Sequence, residues 1–124
     1  MSSEKKTVLV VDDEPDLVET TCTILESAGF LTVQASSGQE GWKLFEANKD
    51  ITLVLSDIRM PGGEGTWLLK KIRESKRPHV GFVFMSAFSD YSRADLLALG
   101  ADELFSKPFD ASALVKFLRS RAAR

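Results

Sequence analysis

The sequence predicts a doubly wound α/β domain, a parallel sheet of five strands covered by five helices. Three observations carry this. Short β-rich apolar runs alternate with longer segments whose apolar residues recur at helical spacing, which is the pattern of repeated βα units with right-handed crossovers. The central run Ile51, Leu53, Val54, Leu55 is apolar on both faces, as in a strand buried between two layers of helices. And 124 residues suit one domain that buries most of its apolar surface without a disulfide or metal staple.

The first strand is Thr7 to Val11, mostly β-branched, and Asp12, Asp13, Glu14 and Pro15 follow it. Proline is accepted in a first helical turn, and Leu17, Val18, Thr21, Ile24, Leu25 and Ala28 recur at helical spacing until Gly29 stops the helix. Leu31 to Ala35 is the second strand. Ser37 and Glu40 have the spacing of a capping box for a second helix with Trp42, Leu44 and Phe45 on its apolar side, ending near Asn48. The third strand ends in Ser56 and Asp57, and Pro61, Gly62 and Gly63 delay the next helix, so the carboxylate is displayed at a loop mouth. Trp67, Leu68, Leu69 and Ile72 mark the third helix, which the Lys76, Arg77, Pro78 segment interrupts.

Val80 to Met85 is the fourth strand and ends in Ser86. A polar turn at Ser89 and Asp90 is expected to start a fourth helix with Ala94, Leu97 and Ala98 inward, up to Gly100. Glu103, Leu104 and Phe105 form the fifth strand, followed by Lys107 and Pro108, and Asp110 caps a last helix carrying Leu114, Phe117 and Leu118.

Composition narrows the function classes. The chain is 44% hydrophobic and 27% charged with a formal net charge of −2, which lacks the electrostatic footprint of a nucleic-acid binder. Lys116, Arg119, Arg121 and Arg124 make the C-terminal end basic and read as charges complementing a helix dipole. Cys22 is the single cysteine; it excludes an internal disulfide and reads as a small buried hydrophobe in a reducing compartment. Val8 to Val11 is too short for a signal segment or a membrane span, so a cytoplasmic location is expected. His79 follows Pro78 in a connector and reads as exposed.

In a parallel sheet the carboxyl ends of the strands share one edge, where ligands bind. Four of the five expected strands end in a reactive polar group: Asp12 and Asp13, Asp57, Ser86, and Lys107. Singly, each has an ordinary explanation as a cap, a turn former or a surface residue. Their gathering on one edge does not. Three crowded carboxylates repel, and a hard divalent cation with oxygen ligands resolves the conflict, so Mg2+ is expected at Asp12, Asp13 and Asp57. Lys107 then offers a point charge and Ser86 a hydrogen bond to an incoming phosphoryl group.

The chain resembles the receiver domains of bacterial two-component response regulators, single-domain like the chemotaxis regulator, from Lys6 to Arg121. The matching signatures are Val10-Val11-Asp12-Asp13-Glu14-Pro15, Ser56-Asp57-Ile58-Arg59-Met60-Pro61-Gly62, Met85-Ser86-Ala87, Gly100-Ala101-Asp102 and Lys107-Pro108-Phe109. The resemblance implies a flavodoxin-like sheet of strand order 2-1-3-4-5 and a single receiver domain over residues 1–124 with its core in 6–121. It implies Asp57 as phosphoacceptor, Asp12, Asp13, Asp57 and the Arg59 carbonyl as the Mg2+ set, and Ser86 and Lys107 as sensors of the phosphoryl group. It implies a cis peptide between Lys107 and Pro108. A sensor histidine kinase or a histidine phosphotransfer protein is the implied donor, and a downstream protein target or effector domain the implied receiver of the signal. A homodimer through the fourth helix, fifth strand and fifth helix is a further implied contact, with no direct nucleic-acid or membrane binding.

Such a domain catalyses only its own phosphorylation and dephosphorylation and is no metabolic enzyme. With no effector segment after Arg124, a stand-alone regulator or a receiver separated from its effector is expected. Leu104 stands where many relatives have a Tyr or Phe that swings inward on activation, and Arg59 and Phe88 hold positions that in relatives influence acyl phosphate hydrolysis; Phe88 is expected to shield the phosphoryl group. Other classes fit less well. A haloacid-dehalogenase-type phosphatase needs a second aspartate where Arg59 stands, and the acidic Asp12-Asp13-Glu14 loop would repel the phosphate that a flavodoxin cradles. A degenerate receiver serving only as an interaction module is separated by a phosphorylation assay.

Overall fold

A computed structural model of the chain, describing residues 5–87 and 91–123, contains five strands and five helices in strict alternation. They are β1 (Thr7–Val11), α1 (Pro15–Ser27), β2 (Leu31–Ala35), α2 (Gly38–Ala47), β3 (Ile51–Asp57), α3 (Gly65–Arg73), β4 (Gly81–Ser86), α4 (Arg93–Ala98), β5 (Glu103–Ser106) and α5 (Ala111–Ala122). All strand pairings are parallel, in the order β2-β1-β3-β4-β5. Both the alternation and the order are as the sequence and its resemblance led us to expect.

Strand periodicity divides the core. Leu9 and Val11 point to one face of β1, where Phe45 of α2, Leu68, Leu69 and Ile72 of α3 and Leu96 of α4 are buried. Val8 and Val10 point to the other, against Val18, Cys22 and Leu25 of α1 and Leu114 and Leu118 of α5. The central strands β1 and β4 are buried along their whole length, whereas β2 and β5 at the edges are mostly half-exposed. His79 is exposed and Cys22 buried, as expected.

One helix cap and one helix face differ from expectation. At α2, Ser37 Oγ accepts the Glu40 amide at 3.1 Å, but the Glu40 carboxylate turns to the backbone amide and hydroxyl of Ser36, so only half of the capping box forms. The complete box is at α4, where Ser92 and Asp95 cap each other. Within α4 the buried residue is Leu96 with Leu97 half-buried, while Ala94 and Ala98 are exposed. The helix has six residues, so one residue decides its orientation, and a leucine gains more from burial than an alanine. Ser89, Asp90 and Phe88, on which the expected helix start and the phosphoryl shield rest, lie outside the described residues.

The C-terminal arginines do more than complement a dipole. Arg119 donates to the Ala28 carbonyl, and Arg121 donates to the His79 carbonyl and faces Asp102 at 3.1 Å. Asp102 also accepts the Phe82 amide at 2.8 Å and lies 3.5 Å from Arg73, which donates to the carbonyls of Gly100, Pro78 and Val80. Burial pulls the Arg73 guanidinium down and Asp102 supports it. This knot fastens α3 and α5 to the ends of β4 and β5. Asp102→Ala removes the carboxylate from two arginines and a strand amide, and urea unfolding should show a loss of about 2 kcal/mol, since the site is partly solvated.

Candidate phosphoacceptor site

Parallel pairing carries the ends of β1, β3, β4 and β5 to one edge, with Val11 beside Ser56, Asp57 beside Met85 and Ser86 beside Ser106. The end of β3 and the loop after β1 bring carboxylate oxygens of Asp12, Asp13 and Asp57 within 4.8 Å of one another. Asp12 is buried, Asp57 half-buried and Asp13 exposed.

Asp12 and Asp57 are each held by a neighbouring amide. Asp12 Oδ1 accepts the Glu14 amide at 3.1 Å, and Asp57 Oδ1 accepts the Ile58 amide at 2.7 Å. Lys107 reaches across from the other end of the chain, its Nζ 2.8 Å from Asp12 Oδ2 and 3.3 Å from Asp57 Oδ2, with Glu14 at 3.7 Å. The Lys107–Pro108 peptide is cis, and the Lys107 amide donates to the carbonyl of buried Ser86 at 2.8 Å.

The cluster is therefore balanced in part by the chain itself. A cation from solution is not the only way to make the carboxylates tolerable, as the sequence alone suggested; Lys107 supplies one positive charge. Burial opposes the Lys107 charge, but Asp12 and Asp57 together hold the ammonium above its ordinary value. The Asp57 carboxyl is also held above its ordinary value, chiefly by burial and with a push from Asp12, against the Ile58 amide and Lys107. Both directions hold at once because burial outweighs the pull of Lys107 at Asp57, whereas two anions outweigh burial at Lys107.

The donor set fits a hard divalent cation. The oxygens are carboxylates at close range, with Asp13 open to solvent, and no softer nitrogen or sulfur ligand stands among them. The Arg59 side chain lies outside the cluster, paired with Glu64 at 2.7 Å and 5.5 Å from the centre of the Tyr91 ring. Leu104 pairs with Phe84 across the sheet and packs half-buried against the core under α2, α3 and α4.

Sequence reasoning missed Gly65. Its amide donates to the Ile58 carbonyl at 2.8 Å, and a Cβ there would stand 2.1 Å from the Asp57 carbonyl oxygen and 2.9 Å from Ser56 Oγ. Any side chain would lift α3 off the end of β3. A glycine at the first position of a helix, where better helix formers are usual, was the available signal.

The model of the response regulator receiver domain family matches residues 8–119. The chain belongs to this family. Relatives include the response regulator GtcR of Aneurinibacillus migulanus, 30% identical over 120 residues, covering 96% of this chain and 48% of that one. The transcriptional regulatory protein CseB of Streptomyces avermitilis is 35% identical over 120 residues, covering 95% and 49%. The receiver thus spans about half the length of the curated relatives it matches. Among solved structures it is similar to a response regulator receiver domain protein from Clostridium thermocellum, at TM-score 0.89, 28% identity and 96% and 95% coverage. It is also similar to a chain in the CheX-CheY-BeF3-Mg complex from Borrelia burgdorferi, at TM-score 0.84, 28% identity and 93% and 87% coverage. As a receiver it is a signalling protein of two-component systems, and its acidic cluster is consistent with phosphorylation and Mg2+ binding. Among the described residues no helix is long and apolar enough to cross a membrane.

Proposed function

We propose that the chain accepts a phosphoryl group on Asp57, and that the convergence of Asp12, Asp13, Asp57 and Lys107 at one sheet edge carries this reading. An Asp57 carboxylate oxygen attacks phosphorus, the bond from phosphorus to the donor nitrogen or oxygen breaks with its electron pair staying on the donor, and an acyl phosphate forms. Asp12, Asp13, Asp57 and the Arg59 carbonyl would hold Mg2+, which neutralises phosphoryl charge when bound. Lys107, already between Asp12 and Asp57, turns to the phosphoryl oxygens as a point charge, and the Ser86 hydroxyl donates a hydrogen bond to them.

The donor is a sensor histidine kinase or a histidine phosphotransfer protein, and the product switches a protein-interaction surface toward a downstream target or effector domain. We place residues 1–124 in one receiver domain with its core in 6–121, acting in the cytoplasm without direct nucleic-acid or membrane contact. The face of α4, β5 and α5 is the candidate surface for a homodimer. The only chemistry is the domain's own phosphorylation and dephosphorylation. Calorimetric titration with Mg2+ tests the site: saturable binding is expected, weakened by Asp13→Asn by roughly tenfold, about 1.4 kcal/mol. Unchanged affinity in that variant would remove Asp13 from the set.

A further inference from the structure

The first turn of α2 is fastened to the loop that leaves Asp57. The first amides of a helix have no acceptor within it, and in α2 each finds one. Gly38 donates to the Gly63 carbonyl at 2.8 Å, Gln39 to the Gly62 carbonyl at 3.3 Å and Glu40 to Ser37 Oγ at 3.1 Å. Two of the three acceptors belong to the segment between β3 and α3. The approach leaves no room for side chains: a Cβ on Gly38 would lie 2.6 Å from the Gly63 carbonyl oxygen and 2.8 Å from that of Glu64, and one on Gly63 would lie 2.9 Å from the Gln39 nitrogen. Gly62 and Gly63 have φ of +80° and +121°, a region that side chains disfavour.

The other end of the same segment is also fixed. Ile58 is bound through its amide to Asp57 Oδ1 and through its carbonyl to the Gly65 amide. Arg59 stands between these anchors, one residue after Ile58 and three before Gly62. We infer that the amides of the α2 N-terminus position the Arg59 carbonyl for the cation, which makes Gly38 and Gly63 positioning residues of the phosphoacceptor site. This rests on the proposed place of Arg59 in the Mg2+ set.

Gly38→Ala tests it, with Gly41→Ala as the control from the same helix. The atoms nearest a Cβ on Gly41 would belong to the side chains of Leu68 and Val11, at 3.1 and 3.2 Å. Titration with Mg2+ below the unfolding temperature of each variant should show affinity reduced roughly tenfold in Gly38→Ala and within about twofold of the unaltered chain in Gly41→Ala. Equal affinities in Gly38→Ala and the unaltered chain, or equal losses in the two variants, would overturn the positioning role. Failure of the unaltered chain to bind Mg2+ would instead overturn the site reading, and the inference with it. Should Gly38→Ala fail to fold, amide exchange in the unaltered chain decides: the Gly38 amide must exchange as slowly as that of Gly41, which donates within α2 to the Ser37 carbonyl. Exchange of Gly38 at the rate of an open amide would show that there is no latch.

Discussion

Asp57→Asn should reduce phosphoryl labelling to background. With acetyl phosphate or a histidine kinase and Mg2+, the unaltered chain should acquire a base-labile acyl phosphate, and the variant should acquire none. The side chains have nearly the same shape, and an asparagine carbonyl oxygen can still accept the Ile58 amide that Asp57 Oδ1 accepts at 2.7 Å. What is lost is the anionic nucleophile, which a neutral amide does not replace. Fold disruption is not a competing explanation, because removing one of three crowded carboxylates lowers repulsion while Lys107 keeps Asp12 at 2.8 Å. Circular dichroism should therefore show a variant as well folded as its parent. A persistent label of the same lability would place the acceptor elsewhere.

The strands and their ends were legible because they depend on neighbours in sequence. Thr7 to Val11 and Ile51 to Asp57 are apolar runs closed by acidic residues, Pro15 opens α1, and Asp110 caps α5 by accepting the amides of Ser112 and Ala113. The strand order came from the family likeness, since pattern alone does not fix which strands are neighbours. Most of the parts that were not legible depend on groups far apart in the chain. Arg77 read as an interrupting charge, yet it stacks on Phe45 and donates to the carbonyls of Phe45 and Asn48, joining α2 to the segment after α3. Arg121 read as a helix-end charge, and its meeting with Asp102 needs the fold to be complete. Glu40 had an equally good partner one residue from the expected one, a choice that spacing rules do not resolve. At the site, the residue types were readable and their pairing was not: nothing local says that Lys107 rests on both Asp12 and Asp57.

That pairing gives Lys107→Met two effects of opposite direction. Methionine keeps most of the length of the lysine stem but brings no charge. Asp12, whose side chain is 0% exposed, and Asp57, at 15%, would then face each other and Asp13 with no cation from the chain. Losing one partner of a buried pair costs about 3 kcal/mol or somewhat less here, because Asp57 and Asp13 retain some water. For a domain of this size that is a fall in Tm of roughly 10 °C without Mg2+. Mg2+ should affect the variant more than its parent. In the parent, an entering cation competes with an ammonium already on Asp12 and Asp57; in the variant it meets three uncompensated carboxylates, so affinity should rise. Saturating Mg2+ stabilises by mass action, about 2.7 kcal/mol at a hundredfold excess over Kd. The gap in Tm should therefore close as Mg2+ is added, while phosphoryl labelling stays impaired because the point charge for the phosphoryl oxygens is gone. Thermal unfolding across an Mg2+ series, with calorimetry on both proteins, reads these effects directly. A gap in Tm independent of Mg2+, or weaker Mg2+ binding in the variant, would mean that Lys107 supports the fold by packing and does not balance the cluster.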